Sequence, residues 1–186
     1  MLTSRCSWPA SDVLMIKYHD EEWGRPLHDD QKLFEFLILE SFQAGLSWRI
    51  VLHKRENFRK VFANFDAKKV AKFNKRKVVS LLKDAGIIRN RLKIEAAINN
   101  AKCFLNLQKE FGSFDKYVWS FVNYKSIINK PKSLKDLPAK TKISDVMSED
   151  MGKRGFKFRG STICYAFMQA VGMVDDHLVG CDCKTR

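Results

Sequence analysis

Leu33-Phe34-Glu35-Phe36-Leu37-Ile38-Leu39-Glu40 is the stretch of this chain that decides its fold. It lies within residues 31–48 and is apolar on nearly every side, so it predicts a helix with almost no surface facing solvent. Asp29 or Asp30 can cap the start of that helix, and Gly45 supplies the break after it. The rest of the chain is expected to be arranged around this helix.

Glu40 is the feature of this helix that points to a function. On a period of 3.6 residues it shares a stripe with Leu33, Leu37 and Ala44, where an unpaired carboxylate is costly. One interpretation is a buried glutamate paired with an internal arginine or with backbone donors. The other is that its partner arrives as a substrate, because the flat ring of Trp48 follows closely and suits a flat cationic ligand.

Length and charge limit the classes of protein to consider. A chain of 186 residues with 45% hydrophobic side chains suits one compact domain, or one domain with a small lobe. No apolar run is long enough to span a bilayer, and the first eight residues lack the core of a secretory signal. We therefore expect a cytoplasmic protein. The formal charge of +13 favours nucleic acid over a membrane as the partner, although basic proteins without such a partner are common.

The spacing of apolar and capping residues predicts an all-α fold in one or two closely packed lobes. No strand alternation is evident. The segment up to Gly24 reads as short and turn-rich, and the Lys-rich residues 125–142 read as an extended surface connection. Further helices are predicted at residues 47–62, after Asp66, after Asn74, from about 90 to 112, from 113 to about 121, at 144–153 and at 161–171.

A helix-hairpin-helix is predicted at about residues 75–110, with its turn at Ala85-Gly86-Ile87-Ile88. The turn and the start of its second helix would expose backbone N–H groups that can hold a phosphate whatever the base sequence. A second basic cluster, residues 153–160, interleaves aromatic residues and glycines. The alternatives are ordinary helix packing for the first and a solvated loop for the second. The predicted DNA contacts are Gly86, Ile87, Arg89, Arg91, Lys153, Arg154 and Lys157.

Cysteine and histidine residues at both ends of the chain form a candidate metal site. Cys6 and His19 come from one end, and His177 and Cys181 from the other. Cys₂His₂ is a closed tetrahedral set that is typical of structural zinc. Cys183 competes for the place of Cys181, and the alternative to any site is that unrelated cysteines and histidines occur at both ends by coincidence. The remaining residues of these types are expected to have no such role: Cys164 is assigned to the core, and His28 and His53 to the surface.

Taken together, these motifs resemble the 3-methyladenine DNA glycosylase I (Tag-type) family of the helix-hairpin-helix glycosylase superfamily. The similarity spans nearly the whole chain in the family's order, and the set is highly specific. The matching stretches are Arg5-Cys6-Ser7-Trp8, Tyr18-His19-Asp20-Glu21-Glu22-Trp23-Gly24, Leu39-Glu40, Gln43-Ala44-Gly45-Leu46-Ser47-Trp48, Asp84-Ala85-Gly86-Ile87-Ile88-Arg89-Asn90, Trp119-Ser120-Phe121, Lys153-Arg154-Gly155-Phe156-Lys157-Phe158 and His177-Leu178-Val179-Gly180-Cys181.

The resemblance implies a single glycosylase domain over residues 1–186 that hydrolyses the N-glycosidic bond of 3-methyladenine in double-stranded DNA. It implies a base pocket at Trp8, Tyr18, Glu40 and Trp48, and one structural zinc at Cys6, His19, His177 and Cys181. Nothing in the sequence suggests more than a monomer, and we expect no obligatory protein partner. Ser41-Phe42 falls at a variable place in the family. The family lacks the catalytic aspartate of its superfamily relatives, yet Asp115 follows the hairpin at a distance where such a residue could lie.

The chemistry of the substrate agrees with these parts. Methylation at N3 makes adenine cationic and a good leaving group, so an enzyme must mainly extract the base, align water and stabilise an oxocarbenium-like transition state. In this interpretation Glu40 is ionised and accepts hydrogen bonds from the amino edge of the base. The competing interpretations are a zinc-stapled DNA-binding module without catalysis, and a glycosylase for other or broader alkylated bases.

Overall fold

The computed structural model describes residues 4–185 and confirms the all-α prediction, with nine α-helices and one short pair of strands in that part of the chain. No helix within these residues is long and apolar enough to cross a bilayer. The helices are α1 (Val13–Glu21), α2 (Asp30–Gln43), α3 (Trp48–Val61), α4 (Ala67–Val70), α5 (Lys75–Lys83), α6 (Arg91–Phe111), α7 (Phe114–Ser120), α8 (Lys142–Lys153) and α9 (Ser161–Ala170). The strands are β1 (Ile127–Ile128) and β2 (Val174–Asp175), which pair in parallel.

Helix α2 is the central helix of the fold. Asp29 caps it by accepting a hydrogen bond from the Lys32 N–H, and every residue from Leu33 to Phe42 is buried. Helices α3, α6, α7 and α9 pack around it. Because its surroundings are protein on all sides, its charged residues need partners from within the molecule or from a ligand.

Helices α5 and α6 lie on either side of the turn at residues 84–90. Asn74 caps α5 by accepting from the Lys77 N–H, and Asn90 caps α6 by accepting from the Lys93 N–H. Both helices therefore start at the asparagines that the sequence indicated. The close packing of α5 against α6 makes the pair a helical hairpin.

Helix α1 differs from the sequence-based expectation, which treated this region as turns. Asp12 caps it by accepting hydrogen bonds from the N–H groups of Leu14 and Met15. A nine-residue helix shows little periodicity in sequence, so its cap was the one available signal. Helix α8 also begins earlier than predicted, at Lys142, because Thr141 and Ser144 form a capping box.

Residues 125–142 are more structured than an extended connection. They include β1 and a short 3-10 helix, Leu134–Asp136, which Ser133 and Asp136 cap reciprocally. Strands of two residues are too short to give an alternating pattern, so the sequence did not indicate them. The β1–β2 pair ties this segment to the chain just before His177.

Candidate active site

Glu40 is buried near the end of α2. Its residue is only 3% exposed, and one carboxylate oxygen, Oε2, has no hydrogen-bond partner within residues 4–185. The neighbouring Glu35 shows the contrast, since Arg55 and Arg59 both bind its carboxylate. The internal arginine that could have neutralised Glu40 is thus engaged by Glu35 and Glu22.

Burial raises the pKa of Glu40 to about 8 from its usual 4.5. In the free protein the carboxyl group is therefore mostly protonated near neutral pH. The expected ionised carboxylate needs a cation beside it, because desolvation is the cause that raises the pKa. A cationic ligand would supply that charge.

Aromatic rings surround the site of Glu40. The ring centroids of Tyr18 and Trp48 lie 5.1 Å apart, and the Phe36 and Trp48 rings are stacked at 6.4 Å. Burial, followed by the charges of Glu40 and Glu22, raises the pKa of Tyr18 well above its usual value. The Tyr18 hydroxyl therefore stays neutral next to the carboxyl group.

Three buried polar side-chain atoms within residues 4–185 lack a partner, and all three belong to this site. They are Oε2 of Glu40 and the indole Nε1 atoms of Trp8 and Trp48. Buried polar groups are nearly always hydrogen-bonded, so one acceptor and two donors without partners indicate a polar ligand. All three residues line a cavity of about 330 Å³.

A second cavity, also of about 330 Å³, adjoins the first through Glu40, Gln43 and Ala166. Its wall includes the Gly45–Leu46 turn, where Gly45 has a φ of +76° that favours glycine. Leu46 is 39% exposed beyond this turn. The turn thus places an apolar side chain at the surface beside the buried carboxyl group.

Both histidines of the candidate metal site are oriented by carboxylates. The Nδ1 of His19 lies 2.7 Å from Asp20 Oδ1, and the Nδ1 of His177 lies 2.8 Å from Asp175 Oδ1. A carboxylate accepts from Nδ1–H, which leaves Nε2 free to bind a metal, as in many metal sites. Gly24 makes this packing possible, because a Cβ atom there would lie 3.0 Å from the His177 ring.

Four ligand atoms lie within 4.8 Å of one another, and they come from His19, His177, Cys181 and Cys183. This group could hold a metal ion, and three of its members are predicted ligands. Cys6 lies beside Cys181, and burial, followed by Cys181, raises the pKa of the Cys6 thiol to about 11. Its Sγ also accepts the Leu178 N–H at 3.3 Å. The predicted ligand Cys6 is thus not one of the four, but it lies next to them as a fifth possible ligand.

Trp8 connects this cluster to the cavity of Glu40. Its ring lies 5.3 Å from that of His19 and 6.2 Å from that of Tyr18. Tyr18 and His19 are consecutive on α1, so their side chains leave the helix about 100° apart. One helix, which the sequence analysis missed, thus separates the Glu40 cavity from the His/Cys cluster.

The hairpin turn between α5 and α6 is supported by α3. Asn57 donates to the Asp84 carboxylate, which also accepts the Gly86 N–H at 2.7 Å. A Cβ atom on Gly86 would lie 2.1 Å from Asn57 Nδ2, so the turn requires glycine. The N–H groups of Ile88 and Arg89 have no partner within the described residues. Ile87 is buried, so only its backbone can face a ligand.

The predicted basic residues do not all lie beside the hairpin. Lys157 is exposed and close to the first half of α6, because Asn100 binds both its N–H and its carbonyl. Arg154 instead binds Glu110, near the far end of α6, and Asp150. Glu110 lies about 28 Å along α6 from Arg91, at 1.5 Å per residue. Lys153 pairs with Glu149, and Arg91 with Glu95.

The comparisons with known proteins point to one family. A sequence model described as methyladenine glycosylase matches residues 8–185. The chain belongs to the methyladenine glycosylase family. It is 48% identical over 184 residues to the DNA-3-methyladenine glycosylase of Haemophilus influenzae, covering 99% of this chain and 100% of that protein. It is 51% identical to DNA-3-methyladenine glycosylase 1 of Escherichia coli, with 96% of each chain covered.

Solved structures of methyladenine glycosylases share the fold. A variant of 3-methyladenine DNA glycosylase I in complex with 3-methyladenine superposes with a TM-score of 0.95. The two sequences are 34% identical, and 98% of each chain is covered. The suspected family resemblance is therefore confirmed.

Asp115 lies away from the Glu40 cavity. Its N–H donates to Asp30 and its carboxylate binds His28. Asp30 begins α2 and Glu40 lies ten residues later, about 15 Å along the helix. The open question of whether Asp115 acts at this cavity is thus answered by its position at the other end of α2.

Two features of the glycosylase site were not found from the sequence. Lys93 is buried and donates to the carbonyl oxygens of Phe42 and Ala44 at 2.8 and 2.6 Å, so it joins α6 to the end of α2. Leu134 and Leu137 line the same cavity as Glu40 although they come from the Lys-rich segment. Only the unusual apolar residues in that segment could have indicated a contact.

Proposed function

We propose that this protein is a monofunctional DNA N-glycosylase that removes 3-methyladenine. It flips the base out of alkylated double-stranded DNA and hydrolyses the N-glycosidic bond, which releases the free base and leaves an abasic site. The observation that supports this most strongly is the unpartnered, buried Glu40 within an aromatic cavity. A DNA-binding module without catalysis has no use for such a cavity.

Glu40 supplies the selectivity. The methylated base is cationic, so its charge lowers the pKa of the carboxyl group, which then loses its proton and accepts hydrogen bonds from the amino edge. Normal adenine is neutral and supplies no charge to offset the cost of ionising the buried carboxyl group, so it is bound less favourably. Trp48 and Tyr18 pack against the purine ring, and Trp8 helps to close the cavity. The indole N–H groups of Trp8 and Trp48 are suited to donate to N1 and N7, the purine ring nitrogens that carry no substituent.

The DNA backbone binds at the hairpin. The free N–H groups of Ile88 and Arg89, and the backbone of Gly86 and Ile87, form a phosphate site at the start of α6. Exposed Arg89 and Lys157 have no ion-pair partner within residues 4–185 and add charge to this face, with Arg91 beside them. Lys153 and Arg154 add to the general positive field from farther away. Binding of this kind is independent of sequence.

One structural zinc ion fits the cluster that joins the two ends of the chain. We assign its four ligands as Cys6, His19, His177 and Cys181. Cys183 is then a neighbouring thiol that does not bind the ion. The Nδ1–carboxylate pairs support the two histidines as ligands, because they leave Nε2 available to a metal. A closed set of four protein ligands supplies folding energy and leaves no position for substrate. The protein acts as a monomer on DNA.

The test is to incubate the protein with methylated duplex DNA and to chromatograph the released bases. We expect 3-methyladenine to be released well above the rate of spontaneous loss, and the DNA strand to stay intact until it is heated in alkali. DNA binding without base release would favour the non-catalytic module. Release of many alkylated bases at similar rates would favour a broader glycosylase.

A further inference from the structure

Two leucines from residues 132–137 form one side of the base cavity. Leu134 and Leu137 line it together with Glu40, Tyr18 and Trp48. Leu134 is 38% exposed and Leu137 is half-buried, whereas Glu40 and Tyr18 are each only 3% exposed. The leucines therefore lie at the opening of the cavity, and the carboxyl group lies at its base.

This segment holds its shape by its own hydrogen bonds. Asp136 accepts from the N–H groups of Lys132 and Ser133, and the Leu137 N–H donates to the Leu134 carbonyl. Within residues 4–185, residues 132–137 make no hydrogen bond to any other part of the chain. Just before it, the Pro131 carbonyl accepts the Val179 N–H at 2.8 Å. The segment is thus anchored at one end and meets the cavity through its two leucines.

The chemistry of the base decides which of its edges meets these leucines. In adenine the amino group lies at one end of the ring system, and N3 and N9 lie at the other. N9 carries the deoxyribose, which stays in the DNA, so this edge must face the opening of the cavity. Since N3 is separated from N9 only by C4, a methyl group on N3 also lies near the opening.

From these positions we propose that Leu134 and Leu137 form the wall that contacts the N3 substituent and that limits its size. This inference rests on the proposed function, because it takes the amino edge to be bound at Glu40. The wall is aliphatic, which suits an apolar methyl group, and a larger substituent meets the same two side chains. Leu134 and Leu137 are therefore specificity-determining residues for alkylated adenines.

The experiment compares free bases by quenching of tryptophan fluorescence. The probes are adenine, 3-methyladenine and 3-benzyladenine, and the variants are Leu137→Phe and the double variant Leu134→Ala, Leu137→Ala. Val146→Ala is the matched control, since Val146 is a 57% exposed aliphatic residue of α8 that does not line the cavity. Circular dichroism checks that each variant is folded.

We expect the wild type and the control to bind 3-methyladenine at least tenfold more tightly than 3-benzyladenine. The double variant should narrow that ratio at least fivefold. Leu137→Phe should weaken 3-methyladenine binding at least fivefold and affect adenine less. A merely structural role would weaken all three ligands together and leave the ratios unchanged.

Ratios within twofold of the wild type in both variants would overturn the proposal. Failure of the proposed function is seen separately, as a wild type that releases no base from methylated DNA. The two failures are distinguishable because free-base binding does not depend on hydrolysis.

Discussion

Replacing Glu40 with glutamine should stabilise the folded protein, and increasingly so as the pH rises. The pKa of Glu40 is raised by burial from 4.5 to about 8. A carboxyl group whose pKa is higher in the folded state contributes its full stability below pH 4.5 and loses it as the pH rises through 8. A neutral glutamine does not carry this penalty.

The size of the effect follows from about 1.36 kcal/mol for each pH unit between the pKa values of the unfolded and folded states. We compare the free energy of unfolding of Glu40→Gln with that of the wild type. The excess of the variant over the wild type should be about 3 kcal/mol greater at pH 7 than at pH 4.5. Above pH 8 this excess should level off at about 4 kcal/mol, because the carboxyl group is then ionised in both the folded and the unfolded protein. Stability is thus lower in the wild type because its pocket is prepared for a cation.

Urea unfolding of both proteins between pH 5 and 8.5, with zinc and ionic strength held constant, measures this difference. Glu35→Gln is the matched control on the same helix. It should destabilise the protein throughout this range, because it leaves Arg55 buried with one carboxylate fewer. A Glu40→Gln difference that stays constant with pH would refute the reasoning, since it would mean that the carboxyl group is not desolvated.

Three further changes test other parts of the structure. Cys6→Ala should lose the bound zinc and much of the free energy of unfolding, since structural zinc contributes on the order of 10 kcal/mol. Cys183→Ala should keep the zinc. Elemental analysis that gives the reverse result would show that Cys183, and not Cys6, is the ligand. Gly86→Val should weaken DNA binding and leave free-base binding intact, because its side chain meets Asn57; loss of free-base binding with DNA affinity kept would contradict the hairpin assignment. Lys93→Met should lower the free energy of unfolding by about 2 kcal/mol, because two carbonyls at the end of α2 lose their donor; the exposed Lys102→Met on the same helix should have little effect, and equal melting of the two would contradict the role of Lys93.

The parts of the fold that could be predicted are those that depend on local patterns of residues in the sequence. The run around Glu40 allowed no exposed helix face, and Asn74 and Asn90 marked the starts of α5 and α6. The rest depends on contacts between distant residues. Nothing near Lys93 in sequence indicates that its partners are carbonyls about 50 residues earlier.

The candidate active site likewise contains residues that the sequence could identify and residues that it could not. Glu40 was recognised because a carboxylate on an apolar stripe is costly wherever the helix lies. Arg154 was assigned to the DNA face by its basic neighbours, yet its position depends on Glu110 and Asp150. Leu134 was missed because only folding brings its segment, some 90 residues later in the chain, against Glu40.

The central claim is that Glu40 must be ionised when it engages the cationic base. The measurement that tests it most directly is the single-turnover release of 3-methyladenine from duplex DNA, corrected for spontaneous loss, from pH 6 to 9. The enzyme is in excess over the DNA but at a concentration below the dissociation constant. This second-order rate constant reports the ionisation of the free enzyme. For the wild type it should rise up to tenfold per pH unit and level off near pH 8. For Glu40→Gln it should be about 10- to 100-fold lower at pH 8, the value of one hydrogen bond to a charged group, and nearly independent of pH. A wild-type rate without this rise, or a folded Glu40→Gln variant that excises as fast, would contradict the claim.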